Sequence, residues 1–452
     1  MPKITLTSYG ATQEVTGSCH LLKVDDFRVL IDCGFWQGGD ENYLKNWSEF
    51  DFDAKSIDAV ILTHAHLDHC GRLPLLFKRG FRGPVFATKA TRQLADIILA
   101  DSFKVMQERV AEHSLSWLYA QTDLDELNKH WTLVNYHKNN QLNSELSFTL
   151  YNSGHILGAS LVEIKAGPKT IVFTGDIGGE NMPLVKNIEY LSKADFVIME
   201  STYGDRLHEQ IKNRNAKLLE AVQRVTRHSS TLIIAVFAIE RAQDILKVLN
   251  DYYEKHLDFR VPVYLDSPMA YEATKIYKQN VQDLNVAAQG ALEHDHDIFS
   301  FPHLKITNTA AQSKQINLAP APKIILAGAG MADGGRIIHH LAVYASQEKN
   351  HILFMGYQVP GTLGHALVNG AFDFRYGGHK IPIRAGVEKI DGFSAHADQA
   401  GLLKWLEAFK NKPKVFLVHG DPTATQILAD KIQKDLGFAV QAIKIKESIV
   451  LN

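Results

Sequence analysis

Three imidazoles and a carboxylate fall within the six positions His64-Ala65-His66-Leu67-Asp68-His69, directly after the apolar run Ala59-Val60-Ile61-Leu62. A buried strand that delivers such cargo at its end constrains the fold more than any other stretch of the chain. Alternation sends His64 and His66 the same way. Neutral imidazole nitrogens and carboxylate oxygens are the donors that borderline divalent ions such as Zn(II) select. The competing reading, a histidine-rich surface loop, is disfavoured because 21 histidines in 452 residues rarely fall into this pattern by chance.

The same grammar repeats along the chain. Apolar strands are expected at Ile4 to Tyr9, His20 to Val24, Arg28 to Ile31 and Val85 to Ala87, and the third runs into Asp32. After Thr91 the apolar positions Leu94, Ile97, Ile98, Val105 and Met106 recur at helical spacing, with helical character continuing to about Lys129. Strands resume at Ser147 to Tyr151, Leu161 to Ile164, Thr170 to Phe173 and Phe196 to Met199. They lead into Gly154-His155, Gly175-Asp176 and Glu200-Ser201-Thr202-Tyr203. Polar residues gathered at strand ends predict one site assembled from several rigid strands.

From about Arg206 the pattern changes to strands alternating with helices, which predicts a mostly parallel, doubly wound sheet. Its strands are expected at Thr231 to Val236, Val261 to Leu265, Lys323 to Ala327 and His351 to Met355. The glycine-punctuated turn Gly328 to Gly335 lacks both GxGxxG and the GK[ST] of a P-loop, so it does not read as a nucleotide site. The earlier style returns in Gly392-Phe393-Ser394-Ala395-His396-Ala397-Asp398, and Lys414 to Val418 is a strand ending in His419. Residues 206–385 are therefore read as a domain inserted into another made of 1–205 and 386–452.

Composition sets few limits. Hydrophobic residues at 45% and charged residues at 22% allow large cores, and a net charge of −2 argues against a phosphate-coating basic surface. Cys19, Cys33 and Cys70 form no CxxC pair and suit a reducing compartment. Cys70 reads as a small buried thiol beside the site. No leader pattern and no apolar stretch of membrane-spanning length are present, so a cytoplasmic protein without membrane association is expected.

A two-metal hydrolytic site needs about three protein ligands per ion, a carboxylate that bridges them and a water to ionise. His64, His66 and His155 account for one ion, Asp68, His69 and His419 for the other, and Asp176 for the bridge. Asp32 then reads as the acceptor that orients a ligand histidine. His113, His208, His256, His294 and His296 lie in polar or helical contexts and read as surface residues.

Taken together, Asp32, the HxHxDH stretch, His155 and Asp176 resemble the metallo-β-lactamase superfamily. Glu200 in Glu-Ser-Thr-Tyr, His396 in Phe-Ser-Ala-His-Ala-Asp and His419 in Val-His-Gly match motifs A, B and C of its β-CASP nuclease branch. The similarity runs through most of the chain and is greatest to the RNA-cleaving members related to the pre-mRNA 3′-end cleavage endonuclease. With no extension before Met1 or after Asn452, the chain reads as a compact bacterial-type member. The resemblance implies an α/β fold, an αββα sandwich carrying the inserted β-CASP domain, and two Zn(II) ions. Histidine at motif C, where DNA-processing members carry valine, implies RNA rather than DNA.

The function expected from this is hydrolysis of single-stranded RNA by a bridging hydroxide, in RNA processing or degradation. His396 would be the general acid, Glu200 its orienting partner, and Asp68 and Asp176 would complete the catalytic set. Arg336, Gly335 and Ser394 are candidate contacts to RNA phosphate, and a homodimer is compatible with the reading. The alternatives are a thioester or lactam hydrolase, a DNA nuclease of the same superfamily, and a non-catalytic RNA-binding protein. Endonucleolytic and exonucleolytic action are not distinguished by the sequence.

Overall fold

In the computed structural model, residues 2–113, 115–295 and 297–452 are described, and the chain divides into two units. One comprises 1–181, 185–207 and 396–452, and the other 182–184 and 208–395. The side chains of His113 and His294, and all of His296, lie outside the described residues. His256 is exposed and His208 half-buried.

The first unit is built on two seven-stranded sheets. One runs Ser448–Val450, Ile4–Ser8, His20–Val24, Phe27–Ile31, Ala59–Ile61, Val85–Ala87 and Trp131–Leu133. The other runs Val440–Ala442, Lys414–Val418, Phe196–Glu200, Lys169–Phe173, Ser160–Ala166, Leu146–Asn152 and Asn140–Gln141. The strand period of two explains the layering. Ile171, Phe173, Ile198 and Phe416 face a core shared with Leu6, Leu22, Val29 and Ile31 of the first sheet. The intervening Val172, Val197, Val415 and Leu417 face Leu402, Trp405 and Leu406 of the helix Gln399–Glu407 and Leu428 of Pro422–Lys431. Both faces are thus apolar, which is why these strands read as unbroken hydrophobic runs. Full burial of each such side chain contributes about 1.5–3 kcal/mol.

The second unit contains a six-stranded sheet in the order Leu304–Ile306, Val263–Asp266, Lys323–Ala327, Thr231–Ala235, His351–Met355 and Gly386–Ile390. Every pairing in it is parallel. Parallel neighbours need crossover connections, and helices such as Arg241–Lys255 and Pro268–Gln279 supply them.

The boundary expected at residue 386 differs from the structure, where the units exchange at 395/396. Gly386–Ile390 pairs with His351–Met355 and so belongs to the inserted sheet. It is an edge strand whose alternating exposure leaves no apolar run to read. The hairpin Asp373–Tyr376/His379–Pro382 escapes the sequence for the same reason. No helix among the described residues is long and apolar enough to cross a membrane.

Candidate metal centre

Each ligand-type side chain sits at or just beyond the end of a strand. His64 and His66 follow Ala59–Ile61, and Asp68 and His69 lie in the one-turn helix Leu67–Cys70. His155 follows Leu146–Asn152, Asp176 follows Lys169–Phe173, Glu200 ends Phe196–Glu200, and His419 follows Lys414–Val418. Asp32 and His419 take positive φ values of 62° and 52°, a conformation that sharply redirects the chain after the strand. Gly34 is needed where the loops touch, because a Cβ there would stand 1.6 Å from the Asp68 carbonyl oxygen.

The nitrogens and oxygens converge in two groups. His66 Nδ1 lies 3.1 Å from His64 Nε2 and 3.0 Å from His155 Nε2. His419 Nε2 lies 3.1 Å from His69 Nε2 and 3.4 Å from Asp68 Oδ2. Asp176 stands between the groups. Its Oδ2 is 3.3 Å from His64 Nε2 and 3.4 Å from His155 Nε2, while its Oδ1 is 3.4 Å from His69 Nε2 and 3.6 Å from His419 Nε2.

This donor set fits metal ions. His64, His66, His155 and Asp176 form one cluster able to hold an ion, and Asp68, His69 and His419 form a second. A third combination, Asp176, Glu200 and His419, shares residues with both. Asp176 Oδ1 and His155 Nδ1 are buried without a hydrogen-bond partner, and a cation held by Asp176 would satisfy the first of these. Burial holds the imidazoles of His64, His66 and His155 below their usual range, and so in the neutral form a ligand requires. Burial disfavours ionised Asp176, but His419, His69 and His396 around it reverse the balance and keep its carboxyl well below the usual carboxylate range.

A supporting layer orients the ligands. Asp32 Oδ2 lies 2.7 Å from His69 Nδ1 and accepts from the Thr63 and Ser18 hydroxyls, while its Oδ1 accepts from the Thr63 amide and hydroxyl. Thr63 Oγ1 also meets His64 Nδ1 at 3.1 Å. The Thr202 hydroxyl donates to the His419 carbonyl at 3.0 Å and lies 3.0 Å from His419 Nδ1. With its proton committed to that carbonyl, Thr202 accepts from Nδ1–H and leaves the Nε2 lone pair facing Asp68 and Asp176. Thr63, Thr202 and Ser18 were not singled out from the sequence. Thr202 meets a histidine 217 residues away, so no local spacing marks it.

Outside the clusters, His396 Nδ1 lies 3.1 and 3.0 Å from the two oxygens of Glu200. Burial opposes its charged form, but Glu200 and then Asp176 outweigh this and lift the imidazole to about 9. Cys70 is buried, and its thiol donates to the Ala65 carbonyl at 3.2 Å rather than reaching the ligands.

The three expected phosphate contacts fare differently. Arg336 Nη1 donates to Asp266 Oδ1 at 2.6 Å and to the Thr307 carbonyl at 2.9 Å, and Nη2 donates to the Asn308 carbonyl at 2.9 Å. Its guanidinium therefore ties Asp266 to the Thr307 loop. Gly335, with φ of 69°, packs against the Gly328 carbonyl, and Ser394 is buried at the end of the inserted unit.

A two-sheet sandwich with histidine and aspartate ligands at its strand ends, carrying an inserted parallel α/β unit, defines the class as a metallo-β-lactamase-type scaffold. Residues 21–197 match a metallo-beta-lactamase superfamily domain, 242–367 a Beta-Casp domain, and 380–443 a Zn-dependent metallo-hydrolase RNA specificity domain. The chain belongs to the β-CASP ribonuclease branch of the metallo-β-lactamase superfamily. It is 39% identical to Ribonuclease TTHA0252 of Thermus thermophilus over 92% of this chain and 93% of that protein. It is 32% identical to Transcription termination factor FttA of Methanocaldococcus jannaschii over 95% of this chain and 69% of the relative. Integrator complex subunit 11 of Danio rerio is 28% identical over 97% and 73%. In fold alone, the chain resembles a crystal structure of a protein of unknown function from Enterococcus faecalis V583, with a TM-score of 0.58, 13% identity and coverage of 99% and 100%.

Proposed function

We propose that this chain is a metal-dependent ribonuclease that hydrolyses phosphodiester bonds of single-stranded RNA with two Zn(II) ions. The observation that carries the reading is the division of Asp176, one oxygen to His64 and His155 and the other to His69 and His419. His64, His66 and His155 would hold one ion, Asp68, His69 and His419 the other, and Asp176 both. Bound there, such ions would supply the means to ionise a water near neutral pH and to offset charge on the nonbridging phosphate oxygens.

The remaining work falls to the protein's own groups. Asp32 and Thr202 fix the rings of His69 and His419 so that each presents Nε2. His396, cationic beside Glu200, donates from Nε2 to the departing ribose 3′ oxygen, while Glu200 holds Nδ1. Products would carry 5′-phosphate and 3′-hydroxyl ends. The similarity to Ribonuclease TTHA0252 supports RNA as substrate over a thioester or lactam.

The test offers end-labelled RNA, internally labelled RNA and a thioester to zinc-loaded protein, with and without chelator. Chelator-sensitive cleavage of RNA with 5′-phosphate products is expected. RNA binding without cleavage, or turnover of the thioester alone, would overturn the proposal. Mapping of the labelled products also separates endonucleolytic from exonucleolytic action.

A further inference from the structure

Arg214 is fully buried on the helix Ile211–Arg227, an uncommon place for a guanidinium. Its Nη1 donates to the Gly392 carbonyl at 2.5 Å, and its Cζ lies 4.5 Å from the centroid of the Phe393 ring. Its Nη2 is 3.8 Å from Asp244 Oδ2, an oxygen that Arg241 also reaches at 3.4 Å. Gly392 permits the close approach, because a Cβ there would lie 3.0 Å from both Arg214 Cβ and the Glu209 carbonyl oxygen. An apolar side chain of the same volume could fill this space without desolvating a charge. It could not grip a carbonyl and an aromatic face together, as a planar guanidinium does.

Gly392 and Phe393 lie four and three residues before His396. On the far side of His396, the Ala397 amide donates to the Ile177 carbonyl at 2.7 Å, and His396 itself forms an isolated β-bridge with Gly178. Only Ser394 and Ala395 separate the two anchorages, so there is little slack to absorb a displacement of the short helix Asp391–Phe393.

We propose that Arg214 is a positioning residue for His396: by holding the Gly392 carbonyl and the Phe393 ring it fixes the segment that delivers the imidazole to Glu200. The inference rests on the reading of His396 as general acid given above. Arg214 touches neither the ligand residues nor the proposed reacting atoms, and acts through the backbone.

Two substrates test it. RNA has a poorly stabilised alkoxide leaving group and needs the acid, whereas bis(p-nitrophenyl) phosphate releases a stable phenolate and does not. Arg214→Lys, Arg214→Met and Gly392→Ala are compared with wild type and with His396→Ala, after circular dichroism and metal analysis of each. Folded variants with wild-type metal content are expected to lose about 10-fold or more in kcat on RNA. KM should stay within about twofold, with hydrolysis of the activated diester unchanged. His396→Ala should show the same split between substrates. If it shows none, the general-acid reading itself fails. If His396→Ala shows the split but Arg214→Lys and Gly392→Ala retain wild-type kcat on RNA, or lose both substrates equally, the positioning role is overturned. Should the Arg214 variants not fold, Gly392→Ala decides alone.

Discussion

Glu200 and His396 stand 196 residues apart in sequence, yet both oxygens of the carboxylate lie within 3.1 Å of a single imidazole nitrogen. Glu200 is fully buried and also accepts the Ile177 amide at 2.5 Å, so its orientation is fixed from two directions. A carboxylate held this way stabilises the imidazolium and fixes which nitrogen faces outward. Glu200→Gln should therefore lower kcat on RNA by about 10- to 100-fold at unchanged metal content. Parallel loss of metal and activity would instead make Glu200 a ligand, as its grouping with Asp176 and His419 allows.

Thr202 is expected to act on one metal position only. Its hydroxyl sets the ring of His419, which groups with Asp68 and His69 and not with His64, His66 and His155. Thr202→Val should weaken binding of one of two zinc equivalents by about 10- to 100-fold. Competition with a chromophoric chelator would resolve the two steps, and equal weakening of both would contradict the assignment.

Gly34 links the fold to the site through sterics alone. An added Cβ would lie 1.6 Å from the Asp68 carbonyl oxygen and 2.7 Å from the His69 amide nitrogen, both backbone atoms that cannot swing aside. Gly34→Ala should cost about 1–3 kcal/mol or more in urea unfolding of the metal-free protein. An unchanged midpoint would show that the loop can move.

Glu240 gives the inserted unit a pH-dependent stability. Burial, and then Asp244, lift its carboxyl to about 8 against the lowering effects of Tyr277, Arg241 and Arg214. Between the ordinary glutamate value of 4.5 and about 8, the folded chain keeps a proton that the unfolded chain has released. Stability must then fall as pH rises through that window and level off above it, at up to about 1.4 kcal/mol per pH unit. Glu240→Gln should flatten this dependence. Unfolding curves at several pH values would show it, and parallel profiles for the two proteins would contradict it.

The sequence exposed the parts of the molecule whose signal is local. The strands His20–Val24, Val85–Ala87, Lys323–Ala327, His351–Met355 and Lys414–Val418 lie where local pattern places them, and the last three are buried on both faces along most of their length, which leaves unbroken apolar runs to read. What it could not show depends on distant partners. Thr202 needs His419, Arg214 needs Gly392, and the edge strand Gly386–Ile390 has one wet face and no apolar run. Arg336 looked available beside a glycine-rich turn, and only the folded chain reveals Asp266 beneath it.

The central claim is that Asp176 serves two ligand sets at once, and zinc titration of the metal-free protein tests it most directly. Wild type should bind two equivalents per chain, and Asp176→Asn should bind fewer and lose RNA cleavage with them. An Asp176→Asn protein that still takes up two equivalents with wild-type affinity would contradict the account.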